Sequence, residues 1–107
     1  MAKHYKLDDV EPRELIPGHR GRFIHSEHTT HVYWSIDANA QLPEHSHPHE
    51  QTVNMLEGTY ELVVDGTTHR LNAGEVLAIP GGAVHSGQAI TDCRILDVFS
   101  PVREEYR

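Results

Sequence analysis

The sequence is poor in the features that mark secreted and membrane proteins. Cys93 is the only cysteine among 107 residues, so no disulfide can form within the chain. No apolar run approaches 18 residues, and the residues after Met1 lack the apolar segment of a signal peptide. We therefore expect a cytoplasmic protein without a membrane span, in which Cys93 is a small buried side chain.

Basic residues are also scarce. Nine Lys and Arg stand against 16 Asp and Glu, which gives a formal net charge of −7. This charge opposes contact with phosphate backbones and anionic membranes, so neither nucleic acid nor membrane is an expected partner. An anionic ligand would have to be attracted by a local positive charge.

Long helical periodicity is missing as well. Short runs of β-branched and aromatic residues alternate with turn signals about every 8–12 residues, a pattern typical of a sandwich or barrel. Residues 21–28 and the alternating THVYWSIDA are expected strands, and Glu57-Gly58 and Asp65-Gly66 are expected hairpin turns. Only the first twenty and last four residues are left as helix or irregular arms. The prediction is one all-β domain over residues 1–107, an antiparallel jelly roll or small barrel.

Ten histidines stand in this short chain, and three of them lie in the segment EHSHPHEQ, residues 44–51. His45 and His47 are two residues apart, so on an extended segment their imidazoles point to one face and can share a divalent ion. His85 follows the tight turn PGGAVH on another strand and is expected to join them inside the barrel. Six others lie among polar residues and are expected to be solvated: His4, His19, His25, His28, His31 and His69.

Glu50 and Gln51 compete for a fourth ligand position. Because Pro48 interrupts the strand ladder, the alternation of faces has to be read anew after it. Gln51 then shares a face with the apolar Val53, which belongs inside, and Glu50 faces solvent. We therefore predict Gln51 as the fourth ligand and His49 as a neighbour of the metal rather than a ligand.

The predicted ligand set is electrically neutral. Three imidazoles and an amide would leave a divalent ion its full charge, whereas a glutamate would remove one unit. One unit charge at about 4 Å and an effective dielectric of about 20 is worth about 4 kcal/mol, so the site favours an anionic ligand. Open coordination positions favour catalysis or ligand binding over a closed structural site. The donors suit Ni, Zn, Fe, Mn or Co equally.

The spacing of these residues resembles the two motifs of the cupin family. HSHPHEQTVNMLEG, residues 45–58, is similar to the first motif, with Gln51 where an acid usually stands. GEVLAIPGGAVH, residues 74–85, is similar to the second, although the usual final Asn is Ala89 here. The resemblance implies a single-domain jelly-roll barrel that binds a metal. It does not choose among the isomerases, dioxygenases, decarboxylases, storage proteins and sensors of this family.

Within the cupins, HSHPHEQ together with LDVFSPVREEY resembles the KdgF family of pectin and alginate degradation. That family converts 4,5-unsaturated monouronates into linear ketonised sugars. The resemblance implies that an Asp, a Phe and an Arg of the C-terminal strand complete the active site, here Asp97, Phe99 and Arg103. Alternation independently places Asp97 and Phe99 on one face with Ile95. Asp97 would handle a proton, as acid or base, and Arg103 would clamp the substrate carboxylate.

Two other functions stay open. Three histidines with free coordination positions also suit an Fe(II)-dependent dioxygenase, and a non-catalytic sugar or metal sensor would need no catalytic strand at all. The expected partner is a small anionic sugar. Because small cupins generally pair, and apolar N-terminal strands would leave a sheet edge to cover, we also expect a homodimer.

Overall fold

Antiparallel strands account for most of the chain. The structure, a computed structural model, describes all 107 residues as ten strands and two short 3-10 helices, Leu7–Asp9 and Glu104–Tyr106. The strands are β1 Arg13–Ile16, β2 His19–His25, β3 Thr30–Ile36, β4 Gln41–His45, β5 Glu50–Glu57, β6 Thr59–Val64, β7 Thr67–Asn72, β8 Val76–Ile79, β9 His85–Ala89 and β10 Cys93–Ser100. None of its helices has the length and apolar character needed to span a bilayer.

The strands form two sheets. One has six strands in the order β1-β2-β3-β10-β5-β8, and the other has four in the order β4-β9-β6-β7. Every pair of neighbouring strands runs antiparallel. The predicted antiparallel all-β jelly roll is confirmed.

The two sheets share one apolar core. In β3 the inward positions Val32, Trp34 and Ile36 are buried and alternate with half-buried residues, as the sequence pattern predicts. Tyr60 and Leu62 of β6 bring the smaller sheet into the same cluster. Cys93 is buried in that cluster too, which confirms its expected role. This packing holds the inner faces together and leaves the histidine segment at one end of β4.

Of the two expected hairpin turns, one is confirmed and one is wrong. Asp65 and Gly66, both with positive φ (46° and 82°), join β6 to its neighbour β7. Gly58 instead stands where the chain leaves the larger sheet for the smaller one, since β5 and β6 belong to different sheets. A Cβ at Gly58 would lie 2.2 Å from the carbonyl oxygen of Asp92. The dipeptide alone does not distinguish a hairpin from such a crossing.

The first twenty residues are not simply an arm. β1 lies within them and pairs with β2, which begins at His19 rather than Gly21. Three of the four residues of β1 are exposed, so the strand lacks the alternation that would reveal it. The sequence pattern does not reveal β4 either, because Pro43 lies within it. Proline is tolerated there because β4 lies at an edge of the smaller sheet.

Candidate metal centre and adjoining cavity

Three histidines meet at the end of the smaller sheet. His45 ends β4, His85 begins β9, and the two are paired across the sheet. His47 lies two residues past the end of β4. One ring nitrogen from each of the three lies within 4.8 Å of the others, so this group could hold a metal ion. Two nitrogens bound to one tetrahedral ion at about 2.1 Å would be about 3.4 Å apart, a small adjustment from this arrangement.

Each of the three rings is oriented by a backbone carbonyl two residues away. The Nδ1 atoms of His45, His47 and His85 lie 2.9, 3.0 and 2.9 Å from the carbonyl oxygens of Pro43, His49 and Ala83. A carbonyl can only accept, so Nδ1 must carry the proton and donate it. The Nε2 lone pair is then left free on all three rings, which is the arrangement that metal-binding histidines show.

The turn before His85 is joined to the loop that carries His47. The backbone N–H of Gly82 donates to the carbonyl of His47 over 2.8 Å. A Cβ at Gly81 would lie 2.3 Å from the carbonyl oxygen of Pro48, so only glycine allows this approach. The two histidine segments are therefore fixed relative to each other by backbone contacts.

Gln51 faces the cluster as the strand alternation predicts. It is 6% exposed, whereas Glu50 is exposed to solvent. Gln51 Oε1 lies 3.0 Å from His47 Nε2. Because the proton of His47 is on Nδ1, both of these facing atoms are acceptors, and a shared cation would remove their repulsion. His49 is buried but lies outside the three-histidine group, and it contributes its carbonyl to His47.

The residues present fit a divalent metal. His85 is 1% exposed, and its Nε2 has no hydrogen-bond partner, an arrangement that is costly unless something binds there. Burial, followed by the nearby charge of Arg103, lowers the pKa of His47 to about 4, so this imidazole is neutral and able to bind at physiological pH. Neutral nitrogen donors and an amide oxygen suit several divalent first-row metals.

A cavity of about 360 Å³ adjoins the cluster between the sheets. His45 and Gln51 line it on the metal side, and so do the predicted catalytic residues Asp97, Phe99 and Arg103. Most of the remaining wall is apolar. The volume of the cavity lies in the range of small-molecule sites. The fold therefore brings all five of these predicted residues to the wall of one cavity.

Asp97 has one oxygen paired and the other free. Its Oδ2 accepts a hydrogen bond of 3.0 Å from Trp34 Nε1, and its buried Oδ1 has no partner. Burial raises the pKa of Asp97 to about 7, although Gln51, Trp34 and Arg103 oppose that shift. A carboxyl group with this pKa can both hold and release a proton near neutrality.

Phe99 and Arg103 form one aromatic and cationic stack. The Phe99 ring lies edge-on to His47, with 5.6 Å between centroids. The guanidinium carbon of Arg103 is 4.9 Å from the Phe99 centroid and 4.1 Å from that of Tyr106. Arg103 Nε also donates to Glu105. The guanidinium is thus placed beside the cavity by its neighbours and is not a free surface charge.

Sequence reasoning missed several residues of the cavity wall. His19 was expected in solvent but is buried at the start of β2, where its ring lies edge-on to Trp34. His4 and His28 are exposed as expected, and His25, His31 and His69 are half-buried. Tyr106 lies in the last four residues, which have no periodic signal. It is held in place by Arg13 Nη2, which donates to its carbonyl over 2.6 Å. Tyr60 alternates with polar and apolar neighbours in β6, and that alternation could have placed it inside.

The comparisons with known proteins agree with this geometry. A family model for the cupin domain matches residues 32–99, more than half of the chain, and the chain therefore belongs to the cupin family. KdgF from Halomonas sp. has a similar structure, with a TM-score of 0.93, 23% sequence identity and full coverage of both chains. An RmlC-like cupin from Shewanella frigidimarina gives a TM-score of 0.91 at 25% identity, covering 99% of this chain and 97% of that one.

The same fold recurs within larger proteins. A variant of oxalate decarboxylase from Bacillus subtilis gives a TM-score of 0.82 at 21% identity over 91% of this chain, but over only 29% of its own. No protein of curated function matches the chain in sequence. The predicted membership of the cupins and the structural similarity to KdgF are confirmed, and the substrate must be argued from the cavity.

The three-histidine group generates a direct prediction about metal content. His45→Ala, His47→Ala and His85→Ala should each remove most of the bound metal, because each takes away one of three converging nitrogens. His49→Ala should retain it and serves as the matched control within the same segment. Metal per chain is measured by elemental mass spectrometry after dialysis. A metal-free His49→Ala protein together with a loaded His45→Ala protein would show that the wrong histidines had been chosen.

The neutral ligand set generates a second prediction. Gln51→Glu should keep or tighten metal binding, because a carboxylate is a stronger ligand, but it should weaken the binding of an anion by removing one unit of positive charge. Calorimetric titration of the metal-loaded proteins with a hexuronate measures the second effect. Equal affinity of Gln51→Glu and the parent for the anion would refute the charge argument.

Proposed function

We propose that this cupin is a metal-dependent enzyme that converts 4,5-unsaturated monouronates, derived from pectin or alginate, into linear ketonised uronates. The observation that carries the proposal is the shared cavity: Asp97, Phe99 and Arg103 lie in one chamber with Gln51 and His45 of the candidate metal centre. The structural similarity to KdgF supports it at the level of the fold.

The substrate class follows from charge and donor type. An unsaturated uronate carries a carboxylate beside an enol-ether oxygen. A divalent ion held by His45, His47, His85 and Gln51 would supply positive charge to such neighbouring oxygens when bound. Arg103 is the cation of the cavity wall, mostly buried, and can donate to a carboxylate with a planar fork. These local charges offset the net charge of −7, which would otherwise repel the substrate.

The reaction itself requires proton movement but no oxidant. As the sugar ring opens, the anomeric hydroxyl loses its proton and the bond from the anomeric carbon to the ring oxygen breaks. The double-bond electrons move so that a carbonyl forms at one carbon while the adjacent carbon takes up a proton. Atoms and electrons balance as an isomerisation, so one proton-carrying group beside the substrate is sufficient.

Asp97 is the group we assign to this proton. It is 9% exposed, it is the acidic residue of the cavity wall, and Gln51 of the candidate metal centre lies beside its carboxyl group. Trp34 holds the other oxygen and so fixes the plane of the carboxyl group. Phe99 contributes a flat apolar surface next to His47, against which a planar unsaturated ring can lie.

We also propose a homodimer. β1 is an edge strand of the six-stranded sheet, and Leu15 within it is 43% exposed although it lines the mouth of the cavity. A second copy over this edge would cover unpaired backbone groups and exposed apolar surface. Light scattering at micromolar concentration should give about twice the chain mass of 12.1 kDa. A value at the mass of one chain would refute the dimer.

The assignment of Asp97 and Arg103 predicts two different kinetic effects. Asp97→Asn keeps shape and should lower kcat by roughly 10²–10⁴-fold. Arg103→Lys keeps charge but loses the fork, so it should mainly raise KM, with a smaller loss in kcat. Both variants should retain bound metal. Arg94→Lys, exposed on the same strand, is the matched control and should resemble the parent.

The measurement is the loss of ultraviolet absorbance from the conjugated double bond when protein is added to lyase products. The parent should accelerate that loss, and removal of the metal by a chelator should abolish the acceleration. If the loaded parent has no effect on any unsaturated monouronate, the proposed reaction is wrong. If Asp97→Asn and Arg103→Lys both have the kcat and KM of the parent, the C-terminal strand has no catalytic role.

A further inference from the structure

Tyr60 is a buried polar residue that the proposed mechanism does not use. It lies in β6, is 3% exposed, and lines the same cavity as Asp97. Its hydroxyl is bonded by no side chain of the protein and is not one of the fully enclosed polar atoms that lack a partner, so it opens on the cavity. A tyrosine hydroxyl on a cavity wall, with no partner within the protein, is available to bond a ligand.

The neighbouring strand makes room for this particular side chain. Gly87 of β9 lies against the ring, and a Cβ there would come within 2.4 Å of Tyr60 Cε1 and 2.6 Å of its hydroxyl oxygen. Any other residue at position 87 would push the hydroxyl end of the ring away from its place. The absence of a side chain at Gly87 therefore keeps both the ring and its hydroxyl in position.

Stability alone does not explain a tyrosine at this position. Phenylalanine would fill the same space with the same ring, and it would present no polar group to the cavity. Burial, and then the nearness of Asp97 and Cys93, raise the pKa of Tyr60 above its ordinary range. The side chain is therefore a neutral phenol at every physiological pH, with a proton to donate.

We propose that Tyr60 is a substrate-binding residue, which donates a hydrogen bond to an oxygen atom of the sugar in the cavity. This inference rests on the proposed function and deepens it. The metal, Asp97 and Arg103 would each contact the substrate, and Tyr60 adds one further polar contact from the smaller sheet. A substrate held from both sheets is fixed in orientation as well as in position, which favours proton transfer at one carbon. The ligand oxygen supplies the partner that the fold leaves out.

The test is Tyr60→Phe, with Tyr5→Phe on the exposed N-terminal segment as control. We expect Tyr60→Phe to lower kcat/KM for an unsaturated monouronate roughly 10-fold, the effect of losing one well-placed hydrogen bond. Metal content should be unchanged, and the denaturant midpoint should be equal to that of the parent or higher. This combination separates a binding role from a structural one, which would lower the midpoint and leave kcat/KM alone. A kcat/KM within twofold of the parent overturns the proposal.

A second measurement separates this inference from the proposed reaction. If the parent does not turn over unsaturated monouronates, calorimetric titration of the metal-loaded protein with a saturated hexuronate tests Tyr60 by affinity. Weaker binding by Tyr60→Phe than by Tyr5→Phe supports the contact although the reaction is wrong. Equal binding by the two variants, or no binding of a hexuronate by the parent, overturns it.

Discussion

The candidate site depends on three hydrogen bonds from imidazole Nδ1 atoms to backbone carbonyls. Each joins His45, His47 or His85 to a carbonyl two residues away, so the backbone at each position decides both the ring's orientation and its tautomer. With the proton fixed on Nδ1, Nε2 is left as the metal-binding nitrogen of each ring, in a group whose ligand atoms lie within 4.8 Å of one another. The edge strand β4 positions His45, and the contact of the glycine turn before β9 with the loop that carries His47 fixes the other two histidines relative to each other. A metal would bind to an arrangement already formed, at little reorganisation cost.

The charges of the metal centre, Asp97 and Arg103 together determine which ligand the cavity favours. A neutral ligand set with Gln51 leaves a bound ion its full charge, in a protein that is otherwise acidic. Two effects act in opposite directions on Asp97: burial raises its pKa to about 7, whereas a nearby cation would lower it. A carboxyl group balanced in this way can gain or lose a proton during one turnover, and that is what an isomerisation requires. Arg103, stacked between Phe99 and Tyr106, contributes positive charge without competing for the same atoms.

The sequence predicts those features that depend on short-range patterns. Alternation after Pro48 places Gln51 inside, and the spacing of His45 and His47 puts both imidazoles on one side, because neighbours along one segment suffice for both inferences. His85 was added from its place after a tight turn on another strand. Features that depend on distant parts of the chain were missed or wrong. His19 is buried beside Trp34 of another strand, and Gly58 marks a crossing between sheets that resembles a hairpin locally. The place of the Tyr60 hydroxyl in the cavity depends on Gly87 of another strand, which leaves room for the ring.

The most direct test of the account is anomalous diffraction from crystals of the metal-loaded protein, recorded on both sides of the metal's absorption edge. The account predicts one strong peak per chain, about 2.0–2.2 Å from the Nε2 atoms of His45, His47 and His85, with all three Nδ1 atoms still bonded to their carbonyls. The Gln51 side chain should reach the same ion through its oxygen. A peak that is absent from this position, or an ion bound through Nδ1 atoms or by His49 instead, would contradict the account.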